Sequence, residues 1–402
     1  MSTKYPAGVI TAVNPVTPSG PYQSSTASGI WTMEQAGYWI KQGQWPTAGN
    51  VDRRGLWSWG YNDNGQLGLN NRTYYSSPKQ VGSLTTWSNI TAGYRHTLAT
   101  KTDGTLWSWG YNGQGQLGLG NTIDYSSPKQ VGSLTTWLKI TAGLYHTIAT
   151  KTDGTLWSWG YNTMGQLGLG NITKYSSPKQ VGSLTTWSNI TAGYRHTLAT
   201  KTDGTLWSWG YNLYGQLGLG NITWYSSPKQ VGSLTTWLKI TAGQYHTIAT
   251  KTDGTLWSWG YNNNGQLGLG NRTYYSSPKQ VGSLTTWSNI TAGYRHTLAT
   301  KTDGTLWSWG SNAQGQLGLG NITNYSSPKQ VGSLTTWLNI TAGQYHTIAT
   351  KTDGTLWSWG YNGQGQLGLG NTIDYSSPKQ VGSLTTWVKV AGGRQSTLAV
   401  LS

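Results

Sequence analysis

The sequence predicts an all-β fold, a seven-bladed β-propeller of four-stranded antiparallel blades, closed by pairing of N- and C-terminal strands and preceded by a short extended and helical N-terminal arm. Three observations carry this. A fifty-residue unit, complete at 101–150, recurs in seven copies starting at 51, 101, 151, 201, 251, 301 and 351 without insertion or deletion. Each copy holds four strand signals. The two chain ends carry complementary fragments of one unit. Self-similarity at a fixed long period marks units that cannot bury their apolar face alone and stack on their neighbours. Four strands per unit, repeated radially, make a propeller blade.

Composition fits a compact, turn-rich body. Apolar residues are only 35% and Phe is absent, but 25 Trp and 25 Tyr supply large buried area per side chain, so an aromatic core is expected. A chain with 57 Gly and 9% charged residues suggests disorder when aperiodic; strict periodicity with regular Trp argues the reverse. The absence of cysteine excludes disulfides, thiolate metal sites and cysteine nucleophiles. Neither a signal-peptide-like apolar stretch nor a run of transmembrane length is present, so no membrane insertion is expected. The net charge of +16 favours anionic partners. Its even spread over the repeats disfavours nucleic acid.

Taken in order, residues 1–50 form a separate arm and residues 51–402 the propeller. Up to Gly29 the arm is rich in Pro, Ser, Thr and Gly, with too little apolar surface to fold alone. The stretch that follows reads as a short helix: Thr32 and Gln35 have capping-box spacing, Met33, Ala36, Trp39 and Ile40 share a face, and Gly43 can end it. Trp31, Trp39 and Trp45 are more aromatic surface than a linker needs. They either pack on the propeller rim or dock the protein to a larger assembly.

Within a repeat, Thr105–Gly110 alternates so that Trp107 and Trp109 share one face of a strand. His96–Thr100 reads as its antiparallel partner, with Asp103-Gly104 as the hairpin signal between them. Trp87–Ala92 gives a third strand, and Pro78–Val81 an outer one whose proline suits an edge. At the ends, residues 387–401 and 55–81 are expected to supply the inner and outer strands of one closing blade, which removes exposed edges.

The motif W-x-x-I-T-A-G-x-x-H-T-[LI]-A-T-K-T-D-G-T-L-W-S-W-G-x-N-x-x-G-Q-L-G closely resembles the repeat of the regulator of chromosome condensation family over residues 51–402. The resemblance implies a seven-bladed propeller. Members similar to the founding protein bind chromatin and promote nucleotide exchange on a small GTPase through inserted loops; no repeat here carries an insertion. The N-terminal segment G-I-W-T-M-E-Q-A-x-Y-W-I-K-Q-G-Q-W-P resembles modules of bacteriophage tail and virion proteins over about eighteen residues.

Differences between copies concentrate in two connections. After the Trp strand they include Asp63, Asn64, Met164 and Tyr214, and further on Tyr74, Asp124, Lys174, Trp224, Tyr274, Asn324 and Asp374. Before the His they include Tyr94, Arg95, Tyr145, Arg195, Tyr245, Arg295 and Tyr345. In a four-stranded antiparallel blade, the first-to-second and third-to-fourth connections emerge on the same side. An unchanging scaffold that displays Tyr, Trp, Arg, Asn, Asp and Lys on one face reads as a recognition surface, the alternative being drift in tolerant loops. Residues 88–89, Ser-Asn in some copies and Leu-Lys in others, vary near the start of the inner strand and have no functional reading from sequence.

Motifs suggestive of chemistry are weak. Gly113-Gln-Gly-Gln-Leu-Gly118 fits G-x-G-x-x-G but lies between strands with no following helix, so it is a turn. His96, His146, His196, His246, His296 and His346 form a ring with Ser396 in the seventh place; each is expected to bond backbone within its own blade, with metal binding the rival reading. Carboxylates are scarce: Glu34 is the sole Glu, and six of ten Asp sit in hairpin turns. Glycoside hydrolysis needs two carboxyls within ~5–10 Å, and no repeat offers a pair. The expectation is therefore a non-enzymatic binding protein without cofactor or metal. It is expected to be virion-associated, to recognise a host surface polysaccharide or receptor through the variable face, and to meet other virion proteins through residues 1–50. The alternative is an intracellular, cytoplasmic protein-interaction scaffold or a GTPase- or chromatin-binding propeller.

Overall fold

A computed structural model of the chain describes residues 55–402 and two short antiparallel strands near the N-terminus, Lys4–Tyr5 and Gly8–Val9. The chain divides into two compact units, Met1–Arg53 and Arg54–Ser402. The helix expected after Gly29, with Trp31, Trp39 and Trp45, lies outside the described residues.

The second unit is a ring of seven four-stranded antiparallel sheets. In the first blade the strands run, from the channel outwards, Trp87–Ala92, His96–Lys101, Leu106–Gly110 and Tyr125–Gln130. Five more blades repeat this at fifty-residue intervals. The last joins Trp387–Gly392 and Ser396–Leu401 to Leu56–Gly60 and Tyr75–Gln80, with Leu56 opposite Val400 and Gly60 opposite Ser396. The chain ends thus seal the ring in the expected manner. The outer strand begins at Tyr75, three residues before the expected Pro78. A register shift opposite Trp59 makes room for it: Gly60 pairs with Tyr75 and Ser58 with Lys79, so Pro78 sits in a bulge where its missing N–H costs no ladder bond.

The core lies between blades. Leu98, Leu106 and Val131 of the first blade pack with Trp137, Ala149 and Trp159 of the second, and the pattern recurs around the ring. The expected aromatic core is corrected in one respect. Trp59 and Trp87 and their equivalents are buried, mixed evenly with aliphatic residues, while Trp57 and its equivalents are half-buried; no tyrosine among the described residues is fully buried. The phenolic oxygen needs a polar partner that these dry interfaces do not offer.

Among the bonds that tie blade to blade, one acceptor takes two. The Gln116 carbonyl of the first blade receives the Trp159 indole N–H at 2.9 Å and the Thr147 hydroxyl at 2.9 Å, both from the second. Gly118 permits this approach, since a Cβ there would lie 2.7 Å from the Trp159 Nε1. The Gly-Gln-Leu-Gly segment is therefore a turn and also an inter-blade clasp. The histidines join the same network, which corrects the expectation that they bond within their own blade. His96 Nε2 lies 3.3 Å from Thr147 Oγ1 in the next blade, and His346 Nε2 lies 3.0 Å from Thr397 Oγ1. Because the Thr147 hydrogen goes to the Gln116 carbonyl, its oxygen accepts from the Nε2–H of a neutral imidazole. Burial pulls each histidine down to about pKa 3.

Candidate functional site

The expected recognition face is built from a rigid loop that recurs in every blade. Asn112 Oδ1 accepts the Leu117 N–H, and its Nδ2 donates to the Asn121 carbonyl at 3.0 Å, which fixes the connection from strand three to strand four. Side chains beside this frame can vary without disturbing it. Those sequence-predicted residues fall into three groups.

The largest is a contiguous aromatic patch on the third and fourth blades. Trp224 stacks on Tyr211 at 5.2 Å and Tyr274 on Tyr261 at 4.9 Å. Tyr214 bridges them, 4.9 Å from Tyr261, 5.0 Å from Tyr245 and 5.7 Å from Tyr274. Trp224 is nonetheless 46% exposed. Cations flank the patch: Arg295 lies over Tyr261, Arg195 over Tyr161 and Tyr194, and Lys174 over Tyr161 while its Nζ donates to Gln114 Oε1 at 2.7 Å. Burial, then the neighbouring Tyr194, pushes the Tyr245 phenol up to about 12, so it is neutral at physiological pH. Met164 is half-buried in the second blade's loop, where its N–H donates to Gln166 Oε1.

A second, polar group spans the closing and first blades. Tyr61 and Tyr74, 5.1 Å apart, both donate to Asp63, and Arg95 lies over the Tyr61 ring. The hydrogen bonds from Tyr74 and then Tyr61 hold the Asp63 carboxyl below its usual range. Asn64 donates to Asp124 Oδ2 across the blade boundary at 3.3 Å. Asp124, Asn324 and Asp374 occupy the same loop position, and each accepts the N–H of the asparagine that frames its loop. These three cap backbone and have less to offer a ligand than their neighbours. Asp63, ionised and already holding two phenols, is not poised to give up a proton near neutrality. Among the described residues there is also no cluster of three metal-ligating side chains.

The third group rings the channel mouth. Tyr94, Tyr194 and Tyr294 succeed one another at 6.3–6.4 Å, and the Arg394 guanidinium sits 4.2 Å above Tyr94. Tyr145, Tyr245 and Tyr345 pack edge-on behind them. Sequence comparison of the copies passes over Tyr194, Tyr294, Arg394, Tyr61, Tyr211 and Tyr261. Looking only at differences hid the Tyr that follows six of the seven Trp strands, Ser311 standing in the other. Arg394 stands two residues before Ser396, as Tyr94 stands two before His96, and this spacing could have found it.

A model of the RCC1-like domain matches residues 40–281, and a model of the regulator of chromosome condensation repeat matches 303–350 and 353–400. No curated protein sequence matches the chain. Among solved structures, Prp20p from Saccharomyces cerevisiae, described with its binding properties to Gsp1p and histones, superposes with a TM-score of 0.78 at 22% identity, covering 88% of this chain and 92% of that one. Human WBSCR16 superposes with a TM-score of 0.78 at 22% identity, covering 87% and 99%. Yeast RCC1 (Prp20) bound to Kap60 is similar at 0.77 and 22%, covering 87% and 89%. Among the described residues, no helix is long and apolar enough to cross a membrane.

Proposed function

The chain belongs to the RCC1-like domain family, and we propose that it is a protein-binding propeller without catalytic activity of its own, engaging a partner through the variable face. The observation that carries this is the continuous patch of Tyr211, Tyr214, Trp224, Tyr245, Tyr261 and Tyr274 flanked by Arg195 and Arg295. Tyr, Trp and Arg are the side chains that dominate the energetics of protein interfaces, and a rigid frame spares the entropy of ordering them. Membership of a family in which Prp20p is described with protein partners supports the same reading. A surface glycan on a virion's host draws on the same exposed rings and on the N-terminal resemblance alone, so it stands second.

The test is the variant Tyr214→Ala/Trp224→Ala/Tyr274→Ala, assayed on the full chain by affinity capture from the cells that make it and then by calorimetry with the purified partner. Loss of three interface anchors should weaken binding by at least ~100-fold. The circular dichroism spectrum should not change, since these side chains lie outside the core. Unchanged affinity for the captured partner, or saturable binding of the intact face to isolated polysaccharide instead, would overturn the protein-binding reading.

A further inference from the structure

In every blade the connection from the third strand to the fourth ends in a short tip on the outer rim of the variable face, Asn71 to Tyr74 in the closing blade. The asparagine shapes it. At all seven tips its Oδ1 accepts the N–H two residues on at 3.0 Å, as Asn121 accepts from Ile123. Its Nδ2 donates to the phenol that opens the outer strand, as Asn121 donates to Tyr125 at 3.2 Å. The turn is therefore rigid, and the side chains it carries are left to solvent.

Five tips expose an isoleucine. Ile123, Ile172, Ile222, Ile322 and Ile373 are 58–66% exposed, more than any other large apolar side chain among the described residues. They occur in two orders, Asn-Thr-Ile from 121 and 371 and Asn-Ile-Thr from 171, 221 and 321. The isoleucine changes place yet stays exposed, and the core gains nothing from it in either place. Trp224, Tyr74 and Tyr274 add exposed rings to three tips. The two tips without isoleucine carry Arg72 and Arg272, and Lys174 stands on a third. With Arg95, Arg195, Arg295 and Arg394 nearer the channel, cations outnumber Asp63, Asp124 and Asp374 on the described face.

Apolar points separated around a rim make no contiguous patch for a protein partner. They suit a surface that yields to each of them separately. Like blades closed into a ring hold equivalent tips at one level, so that the tips can enter such a surface together, and the rigid turn spares the entropy of ordering them. We propose that the rim of the variable face docks on an anionic lipid surface without crossing it, seating the five isoleucines and Trp224 at the headgroup boundary. Aromatic rings with a polar atom favour that level, and the arginines and Lys174 face the lipid phosphates. The opposite face also exposes leucines, Leu84 and its equivalents at 45–47%, but there the six turn aspartates cancel the charge of Lys101 and its equivalents. Lipid contact is additional to the protein partner, and it rests on the tips rather than on the aromatic patch.

The full chain sedimented with vesicles of phosphatidylcholine and phosphatidylglycerol in a 7:3 ratio should bind saturably, and at least ~10-fold more weakly to phosphatidylcholine alone. The variant Ile123→Ser/Ile172→Ser/Ile222→Ser/Ile322→Ser/Ile373→Ser keeps every turn bond and all the charge. It should retain the native circular dichroism spectrum and lose at least ~30-fold in partition to the anionic vesicles. As a control, Leu84→Ser/Leu134→Ser/Leu184→Ser/Leu234→Ser/Leu284→Ser removes as many exposed apolar side chains from the opposite face and should leave partition unchanged. Absence of binding by the wild-type chain to anionic vesicles, undiminished binding by the isoleucine variant, or an equal loss in the control would each overturn the proposal. The vesicles hold no protein, so any of these results leaves the protein-binding reading standing.

Discussion

Lowering the pH from 7 to 4 should progressively destabilise the propeller, and the six inter-blade histidines set the window. In the unfolded chain each has its ordinary pKa of 6.5, whereas burial holds it near 3 in the ring. Above pH 6.5 both states are neutral and the full stability is present. Between 6.5 and 3 the unfolded chain binds protons that the native state cannot, so stability falls with pH by on the order of 1 kcal/mol per pH unit for each histidine. All six act in the same direction. The turn aspartates, such as Asp103 bonded by Thr105, are also depressed, but they sit on the surface and act below pH 4. Melting followed by circular dichroism should therefore show a steep fall in Tm between pH 6.5 and 4.5. His246→Ser, which copies the residue found at Ser396, should make that slope shallower by about one proton. A Tm flat across this range would mean that the histidines are not held neutral in the fold.

Removal of residues 387–402 should abolish the closed ring. It takes away the two inner strands of the closing blade, leaving Leu56–Gly60 with one face of its ladder unpaired. It also deletes Trp387, Leu398 and Val400 from the cores on both sides. An open, flat edge beside exposed apolar surface favours aggregation. The truncated chain should be insoluble or lack a cooperative unfolding transition. The milder Leu398→Ala should fold and lose about 2–5 kcal/mol, read as a lowered urea midpoint. A soluble truncated chain with a native-like transition would show that the six complete blades are stable without closure.

The blades were legible because their signals are local. Alternation in Leu106–Gly110, the Asp103-Gly104 turn and a strict period define the strands, and the fragmentary ends define closure. Contacts fifty residues apart were not. The histidines seemed to belong to their own blades because sequence shows nothing of the neighbour's threonine, yet His96 and Thr147 are partners. Tyr and Trp looked alike as core residues, and only the dryness of the inter-blade cores separates them. On the variable face, reading differences found Tyr214, Trp224 and Tyr274, while Tyr211 and Tyr261 between them, at a position that is Tyr in six of seven copies, were hidden.

The central claim is that one face of an otherwise repetitive disc meets a protein partner. It is tested most directly by placing a photo-crosslinking amino acid at Trp224 or, on the opposite face, at Leu184, which is equally exposed at 47%. After irradiation in the cells that make the protein, Trp224 should yield a discrete protein adduct and Leu184 none. An adduct from Leu184 alone, or the same adduct from both positions, would contradict the assignment of recognition to the variable face.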